Sequence, residues 1–180
     1  MSSNSTMIRS MHDLGLAAWF GGSLMGAVGL NGATGQARDP QERTRLSSLG
    51  WARWTPVQVA AVGIHTIGGL GLIADNKKRL AADAGTAANT KVKLGLTVAA
   101  AGVTLYSGVL GGKVARMQEE GAEGATEPSR TADSELASAQ KQLKALQWAI
   151  PALTGVLIVL AAQQGEQQRD ARGLLDKLRR

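Results

Sequence analysis

Four long uncharged stretches divide the chain, at roughly Leu14–Gly35, Trp54–Ala74, Leu94–Gly112 and Ala145–Gln163. Within the first three, apolar and small residues occupy nearly every position, with no polar residue returning at helical spacing as a water-facing helix requires. Each stretch has 19 or more residues, and about 20 residues of helix cross the hydrocarbon core of a bilayer. One such run could be hidden inside a soluble bundle; four in 180 residues are hard to bury without lipid. No repeated alternating strands suggest a β-barrel. The pattern predicts an all-α polytopic membrane protein, a four-transmembrane-helix bundle in a single domain.

The connections read differently from one another. Gln36–Arg53 is polar and at most partly helical, and Asp75–Lys93 is rich in lysine. Residues 118–131 look flexible and solvated. After them Leu136, Ala139, Leu143, Leu146 and Ile150 recur at steps of three and four. This predicts a helix that begins near Ala132 and extends into span four, its early stripe pairing with another helix, such as an extension of span three. Residues 164–180 form a polar amphipathic tail, with Leu174, Leu175 and Leu178 on one side among basic residues. Trp51, Trp54 and Trp148 flank spans and read as interfacial anchors. Pro56 is expected in the first turn of span two, where its missing N–H matters little. Pro151 is expected to kink or interrupt span four.

Charge sets orientation. Lys and Arg total 20 against 14 Asp and Glu, for a net charge of +6. Arg9, the second connection and the tail hold 11 of the 20, against 9 on the opposite side. That asymmetry favours both termini in the cytoplasm. Met1–Ser10 with Arg9 resembles the start of a signal peptide, but the following run is long and rich in glycine, so retention is expected. The absence of cysteine removes disulfides, thiolate metal sites and thiol nucleophiles.

Glycine, with 23 residues, clusters inside the spans. Gly22 and Gly26 are four apart, as are Gly108 and Gly112, which predicts close helix packing. Gly15 and Gly29 extend the first face, and Gly63, Gly68, Gly69 and Gly71 make a similar one in span two.

Few groups at depth have chemistry. His65 lies well inside span two and His12 near the start of span one. Antiparallel helices bring them to the same end of the bundle, offset by about 7 Å at 1.5 Å rise per residue. A shared metal is compatible with that offset; a haem bridged by both is less easy. Either histidine is a candidate ligand for haem or copper. Gln58, Thr66, Thr97, Thr104 and Tyr106 are the candidate polar intramembrane partners. Asp13 can favour a helix start or orient His12.

The segment HDLGLAAWFGG, His12 to Gly22, resembles the opening of small bacterial multispan membrane proteins of the copper-resistance D-like group, through His12, Trp19, Gly21 and Gly22. The resemblance implies an inner-membrane protein linked to copper or redox processes, with His12 as a ligand.

Three function classes follow. The first is a membrane scaffold or accessory subunit, acting as a homo-oligomer or in a membrane-protein complex among lipids. The second is a haem- or copper-binding redox protein using His65 and His12. The third is a small-solute transporter or channel, for which the polar groups are few and no buried acid is available. No catalytic dyad is evident, so enzymatic activity is not expected. Charges scattered around spans, without an aromatic platform, argue against nucleic acid.

Overall fold

In the computed structural model the backbone is described for residues 3–178 and side chains for residues 5–165 apart from Arg79. The described chain is all helical. Helix α1 spans Ser3–Met25, passes through a π-helical turn at Gly26–Leu30 and ends in the short α2, Asn31–Thr34. Then come α3, Pro40–Asp75, the short α4, Lys77–Ala82, α5, Ala84–Arg116, and α6, Ser134–Leu178. Four of these segments are long and apolar enough to cross a membrane. Their outward faces are open: only 17 % of the most apolar window of α3 is buried, and 11 % of that of α5. Bare apolar faces of this size are the kind that lipid or partner helices cover.

The helices outrun the apolar stretches, because the polar connections are themselves helical. The expectation of a mostly irregular Gln36–Arg53 segment is corrected: α3 begins at Pro40. Asp39 caps it, accepting from Gln41 N–H at 2.9 Å, and Pro40 takes a first-turn position. Similarly Asp83 Oδ1 accepts from the N–H groups of Gly85 and Thr86 and starts α5 well before Leu94. Pro56 therefore lies in a helix interior, contrary to expectation, and α6 runs uninterrupted through Pro151.

The early stripe of α6 pairs with the extension of α5. Leu136 and Ala139 pack with Leu110 and Val114, and Leu143 and Leu146 join them. Above this contact the connection across 118–131 is packed, where a flexible, solvated connection was expected. Ala122, Ala125 and Thr126 are buried, and Ala122 N–H donates to Pro40 O at 3.1 Å. Gly121 turns the chain at φ +70°, where a Cβ would lie 2.9 Å from that of Pro40. Arg43 holds the turn from α3: its Nε donates to Ala37 O at 2.7 Å and its Nη1 to Glu123 O at 3.1 Å. From α6, Gln140 Nε2 donates to the Gly124 and Ala125 carbonyls. Arg43→Ala should therefore open this turn, at about 2 kcal/mol for lost charge-assisted hydrogen bonds. Faster tryptic cleavage at Arg130 in micelles is the expected readout, with Arg43→Lys failing to restore protection because it lacks the guanidinium fork. Unchanged cleavage would show that the turn is held otherwise.

The central core lies where the four long helices meet. Leu16 and Trp19 from α1, Ala61 from α3, Ala100 from α5, and Ile150 and Leu157 from α6 are buried together. The leucines of the C-terminal tail lie outside the residues whose side chains are described.

Candidate functional site

The antiparallel seam between α1 and α3 positions the histidines. At each level a glycine on one helix faces a larger residue on the other. A Cβ on Gly71 would lie 2.8 Å from Ile8 Cγ2, one on Gly68 2.4 Å from His12 N, and one on Gly15 2.5 Å from His65 N. Farther along, a Cβ on Gly22 would strike the Trp54 ring at 1.9 Å, one on Gly26 the Trp51 ring at 2.2 Å, and one on Gly50 Leu30 Cδ1 at 2.6 Å. Gly22 and Gly26 thus seat indoles, and Trp51 and Trp54 turn into the seam; Trp148 is half exposed. The other predicted packing pair is corrected. At Gly108 and Gly112 a Cβ would meet nothing within 4 Å, so these glycines do not mark a contact in the described fold.

At the Gly15 and Gly68 crossings the backbones are close enough for one to accept from the other's side chain. His65 Nδ1 lies 3.0 Å from the His12 carbonyl oxygen. A carbonyl only accepts, so Nδ1 bears the proton and, in the neutral ring, Nε2 has the free lone pair. Thr97 Oγ1 lies 3.5 Å from that nitrogen, and its hydroxyl can donate to it. His12 is fixed in the same sense: its Nδ1 lies 2.8 Å from Asp13 Oδ1, again leaving Nε2 as the available nitrogen. Asp13 is ten residues into α1 and so acts on His12, not on a helix start. The two imidazole centres are 4.3 Å apart, and Trp19 meets His65 edge-on at 6.0 Å.

Both histidines line a half-open cavity of ≈ 460 Å³ among α1, α3, α4, α5 and α6. Apolar residues such as Leu16, Leu94 and Ile158 make most of its wall, and Arg9, Asp13 and Lys93 put charge at one end. Lys93 Nζ donates to Gln164 Oε1. Among the predicted polar partners, Thr97 and Thr66 line this cavity, Thr66 with its hydroxyl bonded back to Val62 O at 2.8 Å.

Gln58 and Thr104 belong elsewhere. Thr104 accepts from Trp19 Nε1 at 3.1 Å. Gln58 accepts from Trp54 Nε1 at 2.6 Å and donates to Ser23 at 3.4 Å. Tyr106 is half exposed and donates to Gln142 Oε1.

Asn31, Lys93 and Ser23 were missed from the sequence. Asn31 accepts from Trp51 Nε1 at 2.9 Å and donates to Gln147 Oε1 at 2.9 Å, tying the π-helical end of α1 to α3 and α6. An asparagine between apolar residues was the available signal. Lys93, at the edge of a lysine-rich connection, gave none.

The fold and site together define an all-helical bundle with four potential membrane spans and two oriented imidazoles on a half-open cavity. No family model, curated protein or solved structure matches the chain.

Proposed function

We propose that the chain is an integral membrane protein that binds a copper ion through Nε2 of His65 and His12. One observation supports this above others: each imidazole is oriented through Nδ1, by a carbonyl at 3.0 Å and a carboxylate at 2.8 Å. That is the arrangement by which metal-ligating histidines are held and made more basic. Two imidazoles with nitrogens about 2 Å from one ion have ring centres at most about 6 Å apart. The 4.3 Å separation falls inside that limit, towards a bent N–metal–N angle. A haem sandwiched by both rings needs the full limit, with a macrocycle between, so copper is favoured over a doubly ligated haem.

The described residues hold no group of three or more His, Asp and Glu side chains placed for a metal. Imidazole suits copper, and the bend leaves room on the ion for a further ligand such as water, so a three-coordinate Cu(I) fits the pair better than a linear two-coordinate one. Zinc, which takes four ligands in structural sites, would need two more donors. A channel is less favoured. Leu16 and Trp19 on α1, Ala61 on α3 and Ala100 on α5 pack between the histidines and the Gln58 cluster, and close the polar path there. Scaffolding is the second reading, supported by the bare apolar faces of α3 and α5, which suit partner helices as well as lipid.

Titration of purified, metal-stripped protein with Cu(I) against a competing chelator tests the proposal. One copper per chain is expected, with at least about tenfold weaker binding for His65→Ala, since even losing a partner that orients a ligand costs about that much. His12→Ala should weaken it too. Wild-type protein that takes up no stoichiometric copper, or equal affinity in His65→Ala, would leave scaffolding as the surviving reading.

A further inference from the structure

A second cavity, of ≈ 670 Å³, lies at the other end of the bundle, lined by α3, α5 and α6 with Asn31 at one side. It differs from the histidine cavity in one respect that bears on its ligand: none of its lining side chains is acidic, basic or histidine. Its polar groups are amides, hydroxyls and indole N–H groups, and most of them bond one another. Others are left open: Gln147 and Ser48 both line the cavity, and neither Gln147 Nε2 nor the Ser48 hydroxyl meets a hydrogen-bond partner among the described residues. A ligand able to satisfy them accepts hydrogen bonds without needing a counter-charge.

The opposite wall is the face of α5 that holds Gly108, Gly111 and Gly112, where an added Cβ would meet open space at all three positions. Beside it the cavity opens between α3 and α5. Val59 and Leu105 line the cavity and are also 66 % and 73 % exposed, so the mouth is apolar and lies on the outer surface of two potential spans. Such a mouth admits hydrocarbon from a bilayer, not a solute from water.

We propose that this cavity binds a neutral-headed lipid, an amphiphile with a hydroxyl or carbonyl head and a hydrocarbon tail. The head accepts from Gln147 and Ser48, and the tail lies along Gly108, Gly111 and Gly112 and leaves between Val59 and Leu105. The site is independent of the copper reading, since no histidine takes part.

Native mass spectrometry of the detergent-solubilised full chain tests it, with three probes titrated separately. Decylubiquinone offers carbonyls, dioctanoylglycerol a hydroxyl and esters, and dioleoylphosphatidylglycerol an anionic head. Saturation at one molecule per chain by at least one neutral probe is expected, and the neutral probe that saturates identifies the head chemistry. Gly108→Leu/Gly111→Leu should fill the channel for the tail and weaken that binding at least about tenfold, while His65→Ala leaves it unchanged. Gln147→Leu, which removes the open donor, should weaken it by about three- to tenfold whether or not the glycine variant folds. Tighter binding of the anionic lipid than of both neutral probes, no neutral probe saturating at one per chain, or unchanged affinity in Gln147→Leu would overturn the assignment.

Discussion

Gly68→Val is expected to destabilise the protein by about 3 kcal/mol or more, near the upper range for overpacking. The reason is what the new side chain would meet. A Cβ at Gly68 would lie 2.4 Å from His12 N and 2.8 Å from His12 Cα, which are helix backbone atoms and cannot rotate aside. The helices must separate, and separation loses more than packing. The His65 Nδ1 bond to His12 O spans the same crossing, so the imidazole pair should come apart and copper affinity should fall with stability. Gly63→Ala is the control. A Cβ there meets nothing within 4 Å, so helix propensity alone should stabilise by up to about 1 kcal/mol. Denaturation in mixed micelles, followed by circular dichroism, measures both. If Gly68→Val unfolds at the same denaturant concentration as Gly63→Ala, the close seam is wrong.

Asn31→Leu should cost about 2 kcal/mol. Its side chain serves three partners on two other helices: Trp51 Nε1 at 2.9 Å, Ser47 Oγ at 3.3 Å and Gln147 at 2.9 Å. Side-chain hydrogen bonds between membrane helices average about 0.6 kcal/mol and reach about 1.7. Three lost together, with donors stranded in a half-buried site, give the figure above. Asn31→Asp separates the contributions, because its carboxylate still accepts from Trp51 and Ser47 but cannot donate to Gln147. It should therefore lose less, and the Trp51 emission should stay close to that of the parent. Equal losses in the two variants, by denaturation with tryptophan fluorescence, would mean that Trp51 and Ser47 gain nothing from Asn31.

Much of the architecture was legible because apolar runs of membrane length have few other uses. The stripe Leu136, Ala139, Leu143 likewise named its own need for a partner, since such a face must be covered. The element ends were less legible. Asp39-Pro40 is a helix-start signal, yet the polar residues after it masked a helix that runs for nearly four turns, at about 3.6 residues each, before its apolar part. The 118–131 connection read as solvated because its Glu, Gly and Ser residues lack periodicity. It packs because Arg43, Thr44 and Gln140 come from distant positions to meet its carbonyls.

The site divides in the same way. Sequence alone determined that two imidazoles and a handful of amides and hydroxyls stand among apolar residues, and that antiparallel helices bring His12 and His65 to one end. Only the tertiary structure decided that their rings meet at 4.3 Å, that Gly108 and Gly112 border a cavity where Gly22 and Gly26 seat indoles, and that Asn31 joins three helices. The physical reason is that helical periodicity assigns a residue to a face, whereas the register and rotation of two helices follow from which bulky side chain finds which glycine. That match involves both helices at once, and neither segment read by itself contains it.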